Sequence, residues 1–246
     1  MTSELQPGHS LADAFSRTAE HYDLLVSISP GYHAQLRASA AELAARLPQS
    51  LSGASVVLDL GCGTGASTRA LLESLSSRGD GDLEVYGVDS SAGMIEQARS
   101  KRWPDSVHFE CADALDHLRE RESGSVSAVF AAYLVRNVAD LDELLAEIAR
   151  VLVPGGPLVI HEYSVAGNRA AQLTWRTVCR AIIIPAAFAT DRDVRLYRYL
   201  RRSVLDFDSV EQVRERMARA GLRDLTHRTV RGWQRGIVHT LAGVRG

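Results

Sequence analysis

The spacing of hydrophobic residues changes near Ser55 and divides the chain into two parts. Before that point, hydrophobic residues recur at helical intervals in two stretches, first at Phe15, Tyr22, Leu25 and Ile28 and then at Leu36, Leu43 and Leu47. The turn-forming residues 29–31 separate the two stretches. Since apolar residues three or four positions apart share one face of a helix, this region predicts two amphipathic helices.

After Ser55, short runs rich in β-branched residues alternate with helical stretches. The predicted strands lie at 56–58, 85–88, 107–109, 126–130 and 158–160. The predicted helices between them lie at 67–77, 92–101, 115–120 and 141–152. This alternation is typical of βαβ units, so we expect an α/β fold with a parallel sheet and helices on both faces.

The last third of the chain departs from this alternation. Residues 167–205 have a helical pattern, and a further helix over 210–220 ends at Gly221. Two extended runs follow, at 222–230 and 236–241. We expect these runs to pair as an antiparallel hairpin at the edge of the sheet.

Composition narrows the range of functions. The chain of 246 residues is 46% hydrophobic and 24% charged, as is usual for a globular domain. Its net charge of −2 gives no electrostatic reason to expect a nucleic-acid partner. Cys62, Cys111 and Cys179 lack the close spacing of a zinc or redox site, so we expect no metal. With neither a secretory signal nor a membrane-length apolar segment, the sequence predicts a cytoplasmic protein.

The strongest chemical signal is a glycine-rich turn between the first predicted strand and the next helix. Its sequence is Asp59-Leu60-Gly61-Cys62-Gly63-Thr64-Gly65. Glycines let the backbone adopt positive φ and let a ligand approach, and the helix that follows points free N–H groups at that ligand. The turn alone is a weak signal, because many α/β proteins have tight turns here for packing. We expect Cys62 to pack beneath the turn rather than to act as a nucleophile.

Two further acids favour a nucleoside-containing cofactor. Asp89 ends the second predicted strand, where a carboxylate can accept hydrogen bonds from both ribose hydroxyls. Asp113 follows the third strand, where a side-chain oxygen and a backbone N–H can bind the edge of an adenine. Position 66 holds no glycine, so the turn lacks the GxGxxG spacing of dinucleotide sites.

The Asp-x-Gly-x-Gly-x-Gly arrangement resembles motif I of the class I S-adenosylmethionine-dependent methyltransferases. In that family the acid at the position of Asp59 lies near the cationic methionine end of the cofactor. A carboxylate there would repel a pyrophosphate and suits a sulfonium compound with an α-ammonium group. The resemblance implies S-adenosyl-L-methionine as cofactor and S-adenosyl-L-homocysteine as product. The expected cofactor-binding residues are Asp59, Gly61, Cys62, Gly63, Thr64, Asp89, Ser90, Met94, Asp113, Ala114 and Ala132.

Longer segments resemble one branch of that family, the ubiquinone/menaquinone-biosynthesis C-methyltransferases. These segments are Phe130-Ala131-Ala132-Tyr133-Leu134-Val135-Arg136-Asn137-Val138, Pro154-Gly155-Gly156, the strand end Glu162-Tyr163-Ser164, His21-Tyr22-Asp23 and Gly236-Ile237-Val238. The chain departs from the family pattern where Leu134 replaces a glycine, Val153 a lysine, and Thr240-Leu241 a Leu-His pair.

The resemblance implies the Rossmann-like class I methyltransferase fold. That fold is a mostly parallel seven-stranded sheet with a C-terminal antiparallel hairpin, N-terminal helices and a helical lid insertion. We expect a single methyltransferase domain over 1–246. Its parts would be an N-terminal helical cap at 1–50, a cofactor-binding core at 51–166, a helical lid at 167–205, and a C-terminal helix and hairpin at 206–246.

The implied reaction is methyl transfer to a small aromatic acceptor, with C-methylation of a phenolic or quinol-like compound as the leading interpretation. Arg136 and Asn137 follow a strand at the edge where open α/β sheets bind ligands, and in the resembled family these positions are linked to substrate activation. A cation there would stabilise the acceptor's phenolate. The alternative for Arg136 is a surface ion pair with Asp140 or Asp142.

Two other residues are candidates for the catalytic machinery. Tyr22 could close over the same crevice as the N-terminal helix folds across it, or could pack on the sheet edge. His161 ends the fifth predicted strand and could act as a general base, although a lone histidine is more often structural.

Other functions and partners stay open. The alternatives are O- or N-methylation in specialised small-molecule metabolism, and a protein that binds S-adenosylmethionine without transferring methyl. Arg195, Arg198 and Arg202 share one helical face beside the apolar residues 182–188. Such a face is usually solvated, but it could also make peripheral contact with an anionic membrane surface. A homodimer is a further alternative.

Overall fold

The computed structural model describes residues 11–17, 19, 31–48, 55–76, 83–185 and 195–246. A seven-stranded sheet runs through this part of the chain. Its strands are β1 (Ser55–Leu60), β2 (Leu83–Asp89), β3 (Val107–Cys111), β4 (Ala128–Ala132), β5 (Pro157–Tyr163), β6 (Leu222–Thr229) and β7 (Val238–Arg245). The strand order is β3-β2-β1-β4-β5-β7-β6.

The first five strands are parallel, whereas β7 is antiparallel to both β5 and β6. This arrangement confirms the predicted fold class, including the C-terminal hairpin at one edge. Two strands begin later than predicted. The fourth strand begins at Ala128 because Val126 forms only an isolated bridge with Leu152. The last strand begins at Val238 because a 3₁₀ turn over Gly232–Gln234 and the positive φ of Gly236 precede it.

Helices connect and flank these strands. They are α1 (Tyr32–Arg46), α2 (Ala66–Ser76), α3 (Ala92–Arg99), α4 (Ala114–Arg119), α5 (Leu141–Val151), α6 (Arg169–Val178), α7 (Arg195–Asp206) and α8 (Val210–Arg219). Residues 11–17 are also helical, a 3₁₀ turn spans Val135–Asn137, and a π-helical segment over Cys179–Ile183 continues α6. The helical pattern predicted for 167–205 is confirmed at 169–185 and 195–205, whereas residues 167 and 168 precede the helix. Tyr22, Leu25, Ile28 and Phe188 lie outside the described residues.

Alternate residues of the central strands face opposite helical layers. On one face, Val57, Phe130 and Val159 pack with residues of α1 and α2. On the other face, Leu58, Val129 and Ile160 pack with residues of α5 and α8. Burial of both faces explains why the central strands are continuously apolar in sequence. Because these strands are parallel, their carboxyl ends meet at one edge, where the functional site lies.

Among the described helices, none is both long and apolar enough to cross a membrane.

Candidate active site

A cleft of about 270 Å³ opens at the carboxyl ends of β1, β2, β3 and β4. Most of the residues expected to bind a cofactor line this cleft. They are Gly61, Cys62, Gly63, Thr64, Asp89, Ser90, Met94, Asp113, Ala114 and Ala132. Asp59 lies beneath them, fully buried. The structure therefore brings the expected cofactor residues together from four separate stretches of the chain.

The glycine turn after β1 is held open by backbone geometry. Gly61 and Gly63 have φ of 72° and 54°, values that favour glycine. The N–H groups of Gly61 and Cys62 donate to the carbonyl oxygen of Val88 on β2, at 2.8 and 3.1 Å. A Cβ atom at Gly63 would have no neighbour within 4 Å. The turn therefore leaves space beside Gly63 for a ligand.

Asp89 connects the end of β2 to this turn. One carboxylate oxygen accepts from the N–H of Gly63 at 2.9 Å, and the other accepts from the N–H of Ser91 at 2.8 Å. Burial raises the pKa of Asp89, and the two backbone hydrogen bonds act in the opposite direction. The carboxylate is thus fixed at the rim of the cleft, where a ribose is expected.

Asp59 is held from the side of α2. Its Oδ2 accepts from the hydroxyls of Ser67 and Thr68 at 2.7 and 2.6 Å. Its Oδ1 is buried and accepts no hydrogen bond from the described residues. Burial raises the pKa of Asp59 to about 7. A cation beside the turn would offset that cost and favour the ionised form.

Cys62 and Asp113 have clear local roles. Cys62 is buried, and burial raises the pKa of its thiol well above the ordinary value, in keeping with the expected packing role. Asp113 caps α4, because its Oδ1 accepts from the N–H of Leu115 at 2.8 Å. Asp113 is nevertheless exposed and lines the cleft.

The described residues that line the cleft carry charges of one sign. Its acidic lining residues are Asp89, Asp113, Asp140 and Glu143, and no lysine or arginine is among the described residues that line it. Such a site attracts a cation and disfavours a pyrophosphate. The described residues also hold no group of three side chains suited to a metal ion. The cleft therefore fits a sulfonium cofactor better than a dinucleotide.

The structure contradicts the alternative of a surface ion pair for Arg136. This residue lies in the 3₁₀ turn after β4, and its Nη1 pairs with the carboxylate of Glu162 on β5. The side chains are only 5% and 2% exposed. Asp140 instead caps α5, and Asp142 pairs with Arg216. The 3₁₀ turn directs Arg136 back toward the sheet rather than outward along α5.

Arg136 and Glu162 hold the residues at the cleft wall. Arg136 Nη1 also donates to the carbonyl oxygen of Tyr133 at 3.0 Å. Burial raises the pKa of Glu162, while the adjacent guanidinium lowers it. Asn137 lines the cleft, donates to the same Tyr133 carbonyl at 3.1 Å, and accepts from the Tyr199 hydroxyl at 3.2 Å. This last bond joins the wall to α7.

His161 lies behind the cleft wall. It is fully buried, with Nδ1 2.9 Å from the Thr240 hydroxyl and Nε2 3.2 Å from the Tyr133 hydroxyl. Burial lowers its pKa to about 3. A ring with so low a pKa is a weak base at neutral pH. The geometry favours a positioning role for His161 over the general-base role expected from the sequence.

Several residues that line the cleft carry no functional prediction from the sequence. Tyr133 and Tyr32 stack with ring centroids 5.7 Å apart, and Leu11 and Phe15 of the N-terminal helical segment lie on the same cleft. Tyr133 has a φ of 57°, which is uncommon for a bulky residue. The aromatic-x-x-Arg-Asn segment could have identified Tyr133 from the sequence as a residue of the site. Tyr32, Leu11 and Phe15 reach the cleft through tertiary packing, which the sequence pattern does not indicate. Tyr22 lies outside the described residues.

Comparison with known proteins identifies the family. A model of the ubiE/COQ5 methyltransferase family matches residues 4–245. The chain belongs to this family. One relative of this chain is a ubiquinone/menaquinone biosynthesis C-methyltransferase UbiE from Syntrophotalea carbinolica. It is 30% identical over 246 residues, which cover 100% of this chain and 98% of the relative.

A second relative agrees with this result, and a solved structure shares the fold. A demethylmenaquinone methyltransferase from Thermus thermophilus is 34% identical over 211 residues, which cover 84% of this chain and 90% of the relative. A Haloferax volcanii methyltransferase, solved in a complex with the Trm112 methyltransferase activator, has a TM-score of 0.62 at 20% identity. That match covers 94% of this chain and 96% of the other, and it shows the fold alone. As a ubiE/COQ5 family member, the protein is an S-adenosylmethionine-dependent methyltransferase.

Proposed function

We propose that the protein transfers the methyl group of S-adenosylmethionine to a ring carbon of a small quinol-like acceptor. The observation that carries this proposal is the continuity of two surfaces in one cleft. One is the acidic glycine turn, which suits the cationic donor. The other is an aromatic and apolar wall formed by Tyr32, Tyr133 and Leu134. Relatives named as quinone-biosynthesis C-methyltransferases support this choice of acceptor.

In this proposal the acids of the cleft bind the donor. Asp89 accepts the ribose hydroxyls, Asp113 and Ala114 lie along the adenine, and the buried carboxylate of Asp59 provides a countercharge for the methionine end. When bound, the cofactor supplies an electrophilic methyl group. The protein's contribution is to hold donor and acceptor in line and to exclude water from the cleft.

The acceptor ring would lie against Tyr133 and Tyr32, with its hydroxyl toward Asn137. Arg136 then acts through its neighbours, because it fixes the Tyr133 carbonyl and carries positive charge behind the wall. The Glu162 carboxylate balances that charge, so Arg136 contributes by orienting the wall that holds the phenol with its ring carbon toward the methyl group. His161 fixes the Tyr133 hydroxyl, and Tyr22 is a further candidate catalytic residue. The described parts of residues 167–205 serve as the lid of the acceptor site.

Ligand binding tests the donor half of this proposal. In calorimetric titrations we expect S-adenosylmethionine and S-adenosylhomocysteine to bind and NADH not to bind. Asp89→Ala should weaken both cofactor affinities about tenfold or more, since it removes a charged hydrogen-bond acceptor. Asp105→Ala changes an exposed aspartate outside the cleft and is the matched control. Equal affinities for the two variants would contradict the assignment of Asp89.

Product analysis tests the acceptor half. The protein is incubated with labelled S-adenosylmethionine and a demethylated quinol, and the product is examined by NMR. A labelled methyl group on a ring carbon is the expected result. A methyl ether or a methylamine would replace the proposal with O- or N-methylation. Cofactor binding without turnover of any phenolic or quinol acceptor would instead indicate a protein that does not transfer methyl.

We also propose peripheral contact with an anionic membrane surface through the lid. Leu173 and Ile182 are 67% and 61% exposed, and the exposed Arg176 and Arg180 lie among them on α6 and its π-helical continuation. Apolar side chains flanked by arginine suit an anionic bilayer interface. Cosedimentation with phosphatidylglycerol vesicles at low salt should be reduced in Leu173→Gln/Ile182→Gln. Undiminished cosedimentation would refute this contact.

We further propose that the protein is located in the cytoplasm. Cys62, Cys111 and Cys179 are all free thiols. Unpaired cysteines are typical of a reducing compartment. Separation of cell fractions, with the protein detected by antibody, tests this location.

A further inference from the structure

A second groove lies on the outer side of the glycine turn. It has a volume of about 400 Å³ and is bounded by α1, the first turns of α2, and the loop between α3 and β3. Its charged lining residues are Arg37, Arg69, Lys101 and Glu73. His33 and Trp103 complete the lining together with small residues. The groove is therefore cationic, in a protein whose net charge is −2 and whose cofactor cleft is acidic.

Arg69 is held in place within this groove. Its guanidinium stacks over the Trp103 ring at 4.0 Å from the centroid, and its Nη2 donates to the carbonyl oxygen of Arg102 at 2.8 Å. Trp103 is itself fixed, since its indole N–H donates to the carbonyl oxygen of Ala98 at 2.7 Å. A guanidinium whose position is already fixed loses less conformational entropy when it binds a ligand.

Arg37 supplies positive charge from the opposite side of the groove. It is exposed on α1, and its side chain makes no hydrogen bond or ion pair with any residue in the described ranges. No acidic side chain in that part of the protein therefore neutralises it directly. The N-terminal turn of α2 lies along the same groove at Gly65 and Ala66, and its dipole adds positive potential.

Lys101 links the groove to the cofactor turn. Its ammonium group donates to the carbonyl oxygen of Thr64 at 2.7 Å, and Thr64 also lines the cofactor cleft. A ligand that binds the ammonium group of Lys101 would alter its hydrogen bond to Thr64, which supports the glycine turn on the side away from the cofactor cleft. An anion in the groove would therefore lie on one side of the glycine turn, and the cofactor cleft lies on the other side.

We propose that this groove is a binding site for a phosphate-type oxyanion. Guanidinium and ammonium groups that converge on one concave surface match phosphate oxygens in charge and geometry. The ligand is either a soluble phosphorylated compound or the phosphate headgroup of a lipid, and both would use the same cations.

The test uses inorganic diphosphate as a soluble probe and phosphatidic acid vesicles as a lipid probe. Both are applied at constant ionic strength, with S-adenosylhomocysteine saturating the cofactor cleft. We expect saturable binding of the wild-type protein to at least one probe. Arg37→Glu should weaken that binding about tenfold or more, since it reverses a charge that contacts the anion. Arg214→Glu, at an exposed position on α8 away from the groove, is the matched control and should bind as the wild type does.

Arg37 is exposed, so its replacement is not expected to affect folding, and circular dichroism checks this. Diphosphate binding that depends on Arg37 supports the site and identifies a soluble ligand. Vesicle binding alone with the same dependence supports it and identifies a lipid headgroup. The proposal is overturned if the wild type binds neither probe, or if the Arg37 and Arg214 variants bind equally well.

Discussion

Replacing Asp59 with asparagine isolates the electrostatic cost of burying this carboxylate. The amide oxygen of asparagine can still accept the hydrogen bonds from Ser67 and Thr68, but the side chain cannot ionise. In the wild-type protein the folded state keeps its proton up to about pH 7, whereas an unfolded aspartate releases it near its ordinary pKa of 3.8. Between those values the folded state binds more protons, so the free energy of unfolding falls as pH rises.

The size of this effect follows from the two pKa values. A pKa raised from 3.8 to about 7 corresponds to about 4 kcal/mol once the group is fully ionised. Urea denaturation of the wild type and Asp59→Asn between pH 4 and pH 8 gives the free energy of unfolding of each protein as a function of pH. The difference between the two curves measures the contribution of Asp59, because the contributions of all other groups cancel. We expect the wild type to lose stability relative to Asp59→Asn as pH rises to about 7, with no further relative loss above that pH.

A matched control and a ligand experiment sharpen this prediction. Asp105→Asn changes an exposed aspartate and should follow the wild-type profile. Because a cationic cofactor favours the ionised form of Asp59, wild-type affinity for S-adenosylmethionine should increase as pH rises through about 7, and the increase should be absent in Asp59→Asn. Parallel stability profiles for the wild type and Asp59→Asn would refute the reasoning.

Two further predictions concern the turn and the cleft wall. Gly65→Ala places a Cβ 2.7 Å from Trp103 at a φ of 91° and should destabilise the fold by about 2 kcal/mol or more. Gly63→Ala meets no atom within 4 Å, so it should cost about 1 kcal/mol and mainly weaken S-adenosylhomocysteine binding. Urea denaturation measures the stability loss of each variant, and calorimetry measures its affinity for S-adenosylhomocysteine. Equal stability losses for Gly65→Ala and Gly63→Ala would contradict this prediction. Arg136→Met should cost about 3 to 5 kcal/mol by leaving the Glu162 carboxylate buried without its partner, and adding Glu162→Gln should restore part of that loss. A double variant no more stable than Arg136→Met would contradict the buried-pair explanation.

The features predicted from the sequence are those with a local cause. The glycine turn and the alternation of strands and helices depend on residues close together in the chain. The carboxyl ends of parallel strands share one edge, so the positions of Asp89 and Ala132 in the cleft follow from the strand pattern as well. These elements were predicted with boundary errors of a few residues.

The pairings behind the cleft wall could not be predicted in the same way. All but the last residue of β5 are buried, so the apolar pattern does not indicate which face His161 or Glu162 occupies. The contact between Arg136 and Glu162 depends on the direction taken by a 3₁₀ turn, and the bond from Tyr199 to Asn137 joins residues 62 positions apart. Such contacts depend on which elements become neighbours and on side-chain directions that periodicity does not specify.

The strand order also has a consequence for the way the protein folds as it is made. β7 follows β6 along the chain, yet it lies between β6 and β5 in the sheet. During synthesis, the outer edge of β5 therefore stays without a partner until β7 leaves the ribosome, and β6 cannot join the sheet before then. An unpaired strand edge can pair with other chains. Ribosome-bound chains that stop after β6 should accordingly depend on chaperones more strongly than chains that include β7.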